Sequence, residues 1–111
     1  MSEPVRGTQF LNINATVVNL TAGIASIAHL RAVNSSAAIA WVQFFDLAAA
    51  DVTAGTTKPL FEVPLAATSG SEDIDFGHPM IVRTRLSVLS ATASEGGTGS
   101  ADGVKVMVWV V

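Results

Sequence analysis

Along the chain, apolar and polar positions alternate with a period of two in several short runs, as expected where successive side chains leave a strand on opposite faces. The most decisive run is Ile39–Asp46, which holds Trp41, Phe44 and Phe45, three of the seven aromatic residues. Ile39, Trp41, Gln43 and Phe45 share one face, and Ala40, Val42, Phe44 and Asp46 the other. Both faces are mostly apolar, so a central strand covered on both sides is predicted.

Before it, Gln9–Val18 sets Leu11, Ile13, Ala15 and Val17 against Asn12, Asn14 and Thr16, a half-buried strand followed by turn chemistry at Asn19–Gly23. Ile24–Val33 alternates Ala28, Leu30 and Ala32 against Ile27, His29, Arg31 and Val33. Asn34-Ser-Ser36 after it predicts a tight turn into the aromatic strand, as in an antiparallel hairpin.

After Asp46, the alanine run allows one helical turn and Thr53–Thr57 reads as loop. Pro59–Leu65 predicts an edge strand, because two prolines remove two ladder donors. A turn over Ala66–Ser71 leads to a short strand, Glu72–Phe76, with Ile74 and Phe76 inward, closed by Gly77-His-Pro79. Ile81–Ala91 predicts one long strand with Val82, Thr84, Leu86 and Val88 inward and Arg83, Arg85 and Ser87 outward. Ser94–Gly103 is a glycine- and serine-rich loop, and Val104–Val111 is a closing strand carrying Trp109 that must be paired to avoid an aggregating edge.

About seven short antiparallel strands with regular turn signals predict an all-β fold: a single-domain β-sandwich of jelly-roll type over 9–111, with residues 1–8 as an extended N-terminal arm. An open barrel is the competing architecture. The length of 111 residues fits one domain with one core.

Composition changes this picture in one respect. Only 14% of residues are charged, against about 25% in a typical soluble domain, although alanine supplies much of the apolar count. So few charges predict a surface partly covered in a homo-oligomer or larger assembly. The net charge of −3 and the lack of a clustered basic footprint argue against nucleic acid as partner. No apolar run reaches the roughly 18 residues of a membrane span, and the start lacks the pattern of a signal peptide. Cysteine is absent, which removes disulfides, thiolate metal sites and thiol nucleophiles.

Candidate chemistry is thin. Asp73 and Asp75 share a strand face beside Glu72 and could hold a hard cation, but the glycine-punctuated spacing of a calcium loop is missing, so a solvated face is the expectation. Asp75-Phe-Gly77 and Glu95–Ser100 resemble kinase and phosphate-loop signatures without the residues that would make them work. His29 and His78 are too far apart in sequence for a metal-binding set, and no strained nucleophile turn accompanies them. No enzyme activity and no cofactor are predicted. Arg83 and Arg85, two apart, would suit salt bridges to the Glu72–Asp75 segment of another copy. With His29, Arg31, Trp109, Glu72, Asp73 and Asp75 they make the set of interface candidates.

One resemblance extends these expectations. Over Val33–Ala91 the succession Asn-Ser-Ser-Ala-Ala, Trp-Val-Gln-Phe-Phe-Asp, Thr-Ala-Gly-Thr-Thr-Lys-Pro, Phe-Glu-Val-Pro-Leu and Asp-Ile-Asp-Phe-Gly resembles small β-sandwich virion proteins of tailed bacteriophages, including capsid cement or decoration proteins. The resemblance implies a capsid cement subunit on the outer surface of the virion, acting as a homo-oligomer on the major capsid protein. A tail- or fibre-associated module recognising carbohydrate or a host receptor is the alternative. It is set behind because the aromatic residues mostly fall on strands where they read as core and tyrosine is absent.

Overall fold

A computed structural model of the chain describes residues 6–13, 16–91 and 104–110. The fold is all-β. Its strands among the described residues are β1 (Arg6–Ile13), β2 (Val18–Asn19), β3 (Ala25–Asn34), β4 (Ala40–Asp46), β5 (Phe61–Leu65), β6 (Gly70–Val82), β7 (Leu86–Ala91) and β8 (Val104–Val110), with a 3₁₀ turn at Ala49–Asp51. Two four-stranded antiparallel sheets run β1-β8-β3-β6 and β2-β7-β4-β5. First pairs with last, second with seventh, third with sixth and fourth with fifth. The chain is thus one long hairpin rolled over itself, the double Greek key of a jelly roll.

Between the sheets lies a core of Ile13, Ile27, Leu30, Val42, Phe44, Leu65, Val82, Leu86, Val88 and the alternate valines Val104, Val106 and Val108. Phe44 stacks on Phe61 of β5, ring centroids 4.7 Å apart and planes at 17°. The period-two expectation for β4 holds on both faces. Ala40, Val42 and Phe44 enter the main core, while Phe45 joins Leu89 and Ala91 in a second cluster on the far side, flanked by Val17, Leu47 and Val52. β5 is an edge strand as predicted, with Pro64 exposed, and Ile74 and Phe76 pack on the core. β8 is paired on both sides, by β1 and β3.

Several expectations are corrected. β3 and β4 do not form a hairpin: they lie in different sheets, and the chain crosses between layers at 35–39. The cause is Asn34, which is buried at the end of β3. Its Nδ2 donates to the carbonyls of Ala38 (2.9 Å) and Ala66 (3.0 Å) and more weakly to Leu65 (3.4 Å), while Oδ1 accepts from the Ser36 backbone N–H at 2.9 Å. One side chain thus ties the β3–β4 crossover to the β5–β6 turn.

In β3, a register shift between Ile27 and His29 is a bulge that puts Ile27 on the core side with Leu30 and Ala32, where strict alternation had placed it opposite them. Gly77-His-Pro79 does not close β6, which continues through it to Val82. Gly70 and Ser71 already belong to β6, so the turn before it is shorter than expected.

The predicted strand Ile81–Ala91 is in fact two strands around a corner at 83–85. The Asp46 carboxylate accepts the backbone N–H groups of Arg83 (2.9 Å) and Thr84 (2.8 Å), fixing that corner. Thr84 is therefore exposed, not inward. Ser87 faces away from the main core but is buried, its Oγ donating to the Leu47 carbonyl at 2.8 Å. The predicted first strand is likewise divided into β1 and the two-residue β2. Arg6, Gly7 and Thr8, assigned to the arm, lie in β1; the rest of the arm and the 94–103 loop fall outside the described residues.

Candidate interaction surface

Six of the eight interface candidates come together on or beside the outer face of the first sheet. Cross-strand register builds it in rows: Trp109 on β8, His29 on β3 and Asp75 on β6 form one, Met107, Arg31 and Asp73 the next, and Lys105, Val33 and Ser71 the third. Each member has the parity opposite to the core residues of its strand, because Val104, Val106 and Val108 turn inward on β8 and Leu30 and Ala32 on β3. Glu72 has core-side parity with Ile74 and Phe76, yet it is exposed at the sandwich flank.

The polar heart of the face is Asp73. Arg31 Nη1 donates to Oδ2 at 2.8 Å, and His29 Nε2 lies 3.2 Å from Oδ1. An ionised carboxylate only accepts, so Nε2 carries the hydrogen in this pairing. The bond from His29, with the charge and bond of Arg31 behind it, holds the Asp73 carboxyl below the usual carboxylate range. The His29 ring also meets Trp109 edge-on, centroids 4.8 Å apart at 81°. With side-chain exposures of 30% for His29, 41% for Arg31 and 48% for Asp73, these groups remain available to a partner, and the pairs themselves contribute little stability.

Arg83 and Arg85 do not join this face. They sit at the β6–β7 corner, so the expectation that both project from one face of a long strand is overturned. Asp73, which was to receive a neighbour's arginines, is already engaged by Arg31 of its own chain. The cation reading of Asp73 and Asp75 meets the same arrangement: among the described residues no group of three His, Asp or Glu side chains is placed to hold a metal ion.

Phe44, Phe45, Phe61 and Phe76 are buried or pack on a core, as expected of most of the aromatic residues, whereas both tryptophans are on outer faces. Trp41 is half-buried on the outside of the second sheet, in register between Ala91 and Pro64, and Trp109 is half-buried on the outside of the first. Beside Trp41 on the same face, Gln43 is buried with its Nε2 unpartnered. Sequence reasoning placed Gln43 on that face but had no means of knowing that the face would be covered. Met107 and Val33, which give the first sheet's outer face its apolar share, were visible only as alternating positions.

At the end of the sandwich where β3 begins, Leu20–Ala25 and Val110 line an open groove of about 290 Å³. Ile24, one of its lining residues, is 77% exposed. No protein-family model, curated protein or solved structure matches this chain.

Proposed function

We propose that the chain is a structural virion protein: a capsid cement or decoration subunit that acts as a homo-oligomer on the outer capsid surface and strengthens the lattice of the major capsid protein. The observation that carries this reading is the outer face of the first sheet, where Trp109 and Met107 on β8 and Val33 on β3 lie beside His29, Arg31, Asp73 and Asp75 on an antiparallel framework. Apolar anchors beside partly exposed charged groups are the chemistry of a protein interface. A cement subunit performs no reaction: it binds the assembled lattice and not its dissociated parts, so mass action stabilises the assembly. An interface of standard size covers about 800 Å² per partner, a modest share of the 5910 Å² surface of this chain.

The test is to mix the purified protein with capsid shells that lack it. Saturable, stoichiometric binding with a gain in the thermal resistance of the shells is expected, and Arg31→Ala or Trp109→Ala should weaken binding at least about tenfold, the range of a contact residue worth more than about 1.4 kcal/mol. No binding to shells, or binding indifferent to both substitutions, refutes the proposal.

Recognition of carbohydrate at a tail or fibre is the second reading, and the half-buried positions of Trp41 and Trp109 on the outer faces of the two sheets favour it. Sugar rings stack on such platforms. Glycan binding abolished by Trp41→Ala or Trp109→Ala, with no affinity for shells, would reverse the order of the two readings.

A further inference from the structure

We infer that the lower half of β6 is a docking edge for an extended basic segment of another protein, which would join the first sheet as a further antiparallel strand. This follows from the edge itself and stands whether or not the chain belongs to a virion. Among the described residues, β6 is the outermost strand of its sheet and pairs only with β3. Its two halves differ. Between Asp75 and Met80 the ladder to β3 is interrupted opposite the bulge, and Pro79 lies in that stretch. Bulges and prolines are the usual means of closing an edge to newcomers.

From Gly70 to Asp75, by contrast, β6 holds unbroken register with Asn34 to His29 and contains no proline. Along such a stretch every second residue turns its backbone N–H and C=O away from the sheet. Among the described residues, no backbone hydrogen bond outside the β3 ladder reaches 71–75. Among the described residues, the other sheet has no comparable edge: β2 is two residues long, and β5 is five residues long and contains Pro64.

Charge selects the occupant. β5 and β6 together carry Glu62, Glu72, Asp73 and Asp75 and no lysine or arginine. A second copy pairing β6 with β6 would bring Glu72, Asp73 and Asp75 of both chains together, and like charges across a ladder are destabilising. Glu72 is a carboxylate at a core-parity position of an edge strand, a recognised device against self-pairing. Those same carboxylates attract a cationic strand. The Asp73 charge is engaged by Arg31 and His29, so the complementary segment carries lysine or arginine opposite Asp75 and Glu72 and an apolar residue beside Ile74. Backbone pairing would supply affinity and the side-chain pattern selectivity, as in other cases of strand addition.

The experiment titrates the protein with a short synthetic peptide that has lysines opposite Glu72 and Asp75 and valine beside Ile74, and with a control in which glutamates replace the lysines. The expected result is saturable binding of the lysine peptide alone, weakened about fivefold or more between low and physiological salt, with slower hydrogen exchange of backbone amides within 71–75. The exposed double substitution Glu72→Lys/Asp75→Lys should lose the lysine peptide and accept the glutamate one. Absence of saturable binding by the lysine peptide, binding that leaves 71–75 unprotected, or equal binding of both peptides would overturn the inference. If the double variant fails to fold, the comparison of the two peptides on the unaltered protein decides.

Discussion

The carboxylate of Asp46, at the end of β4, accepts the backbone N–H of Thr84 at 2.8 Å and, with its other oxygen, that of Arg83 at 2.9 Å. This pair sets where β6 ends and β7 begins. A carboxylate bound by two main-chain donors replaces a turn sequence, since Arg83-Thr84-Arg85 contains no glycine, proline or asparagine.

Asp46→Ala should therefore cost about 2 kcal/mol, the range for hydrogen bonds to a charged group, read as a fall in the denaturant midpoint at unchanged slope. The pH dependence has a definite sign. Partial burial acts to raise the Asp46 pKa, but donation from the backbone of Arg83, Thr84 and Arg85 and the charge of Arg83 outweigh it, and the folded value lies below the ordinary one. The resulting stability is fully present above the unfolded carboxylate pKa of about 3.9 and is lost as pH falls through the folded value. Asp46→Asn should flatten that acid limb; an unchanged profile would remove Asp46 as its source.

Asn34 offers a second test. Removing its amide takes one donor from the carbonyls of Ala38, Leu65 and Ala66 and the acceptor from the Ser36 backbone N–H, although Ser36 Oγ still reaches the Ala38 oxygen and Gly70 N–H the Ala66 oxygen, so Asn34→Ala should cost about 2 kcal/mol. Asn34→Asp is nearly the same shape but would aim a carboxylate at carbonyl oxygens. It should be the worse of the two at neutral pH and recover in part on acidification, because its folded pKa would be raised. Thermal melts of both variants at pH 4 and pH 7 separate the predictions.

Gly70 opens β6 against the β5–β6 turn. A Cβ there would collide with the backbone nitrogen, carbonyl carbon and oxygen of Ala66, and Gly70 donates its own N–H to that oxygen. Backbone cannot yield as a side-chain tip can. Gly70→Ala should thus cost about 2–3 kcal/mol, while Gly77→Ala, where a Cβ meets nothing within 4 Å, should change the melting temperature little.

Gln43 is predicted to act in the opposite direction. Its Nε2 is buried with no partner, on a face shared with Trp41, Phe45, Leu89 and Ala91 and in register with Glu62 of β5. A polar group left in that state is a standing cost, so Gln43→Met should raise stability by about 1 kcal/mol. A loss of stability would show that the amide makes an interaction on this face that outweighs its unpartnered nitrogen.

What the sequence disclosed is what neighbouring residues decide together. The two faces of Ile39–Asp46, the valine alternation of β8 and the proline-marked edge of β5 follow from period-two patterning and proline chemistry, and each is present in the fold. The errors lie where a distant residue overrides local signals. Nothing in Ile81–Ala91 marks the corner at 83–85, because the group that bends it is Asp46. Asn34-Ser-Ser36 has the composition of a hairpin turn, and only the carbonyls of Leu65 and Ala66 make it a crossover between layers. The gathering of His29, Arg31, Trp109 and Asp73 on one face was unreadable for the same reason: the residues lie on three strands whose order is a property of the whole roll.

The lane taken by β8, between β1 and β3, also governs how the chain can come together. Until Val104–Val110 leaves the ribosome, β1 and β3 have no bridge between them and the first sheet stays split, with Leu30 and Ala32 bare on one side. The second sheet draws all its members from residues already synthesised, so it can settle earlier. Maturation is then a late, long-range closure by a valine-rich ribbon, slow by nature and exposed to misassociation while it waits.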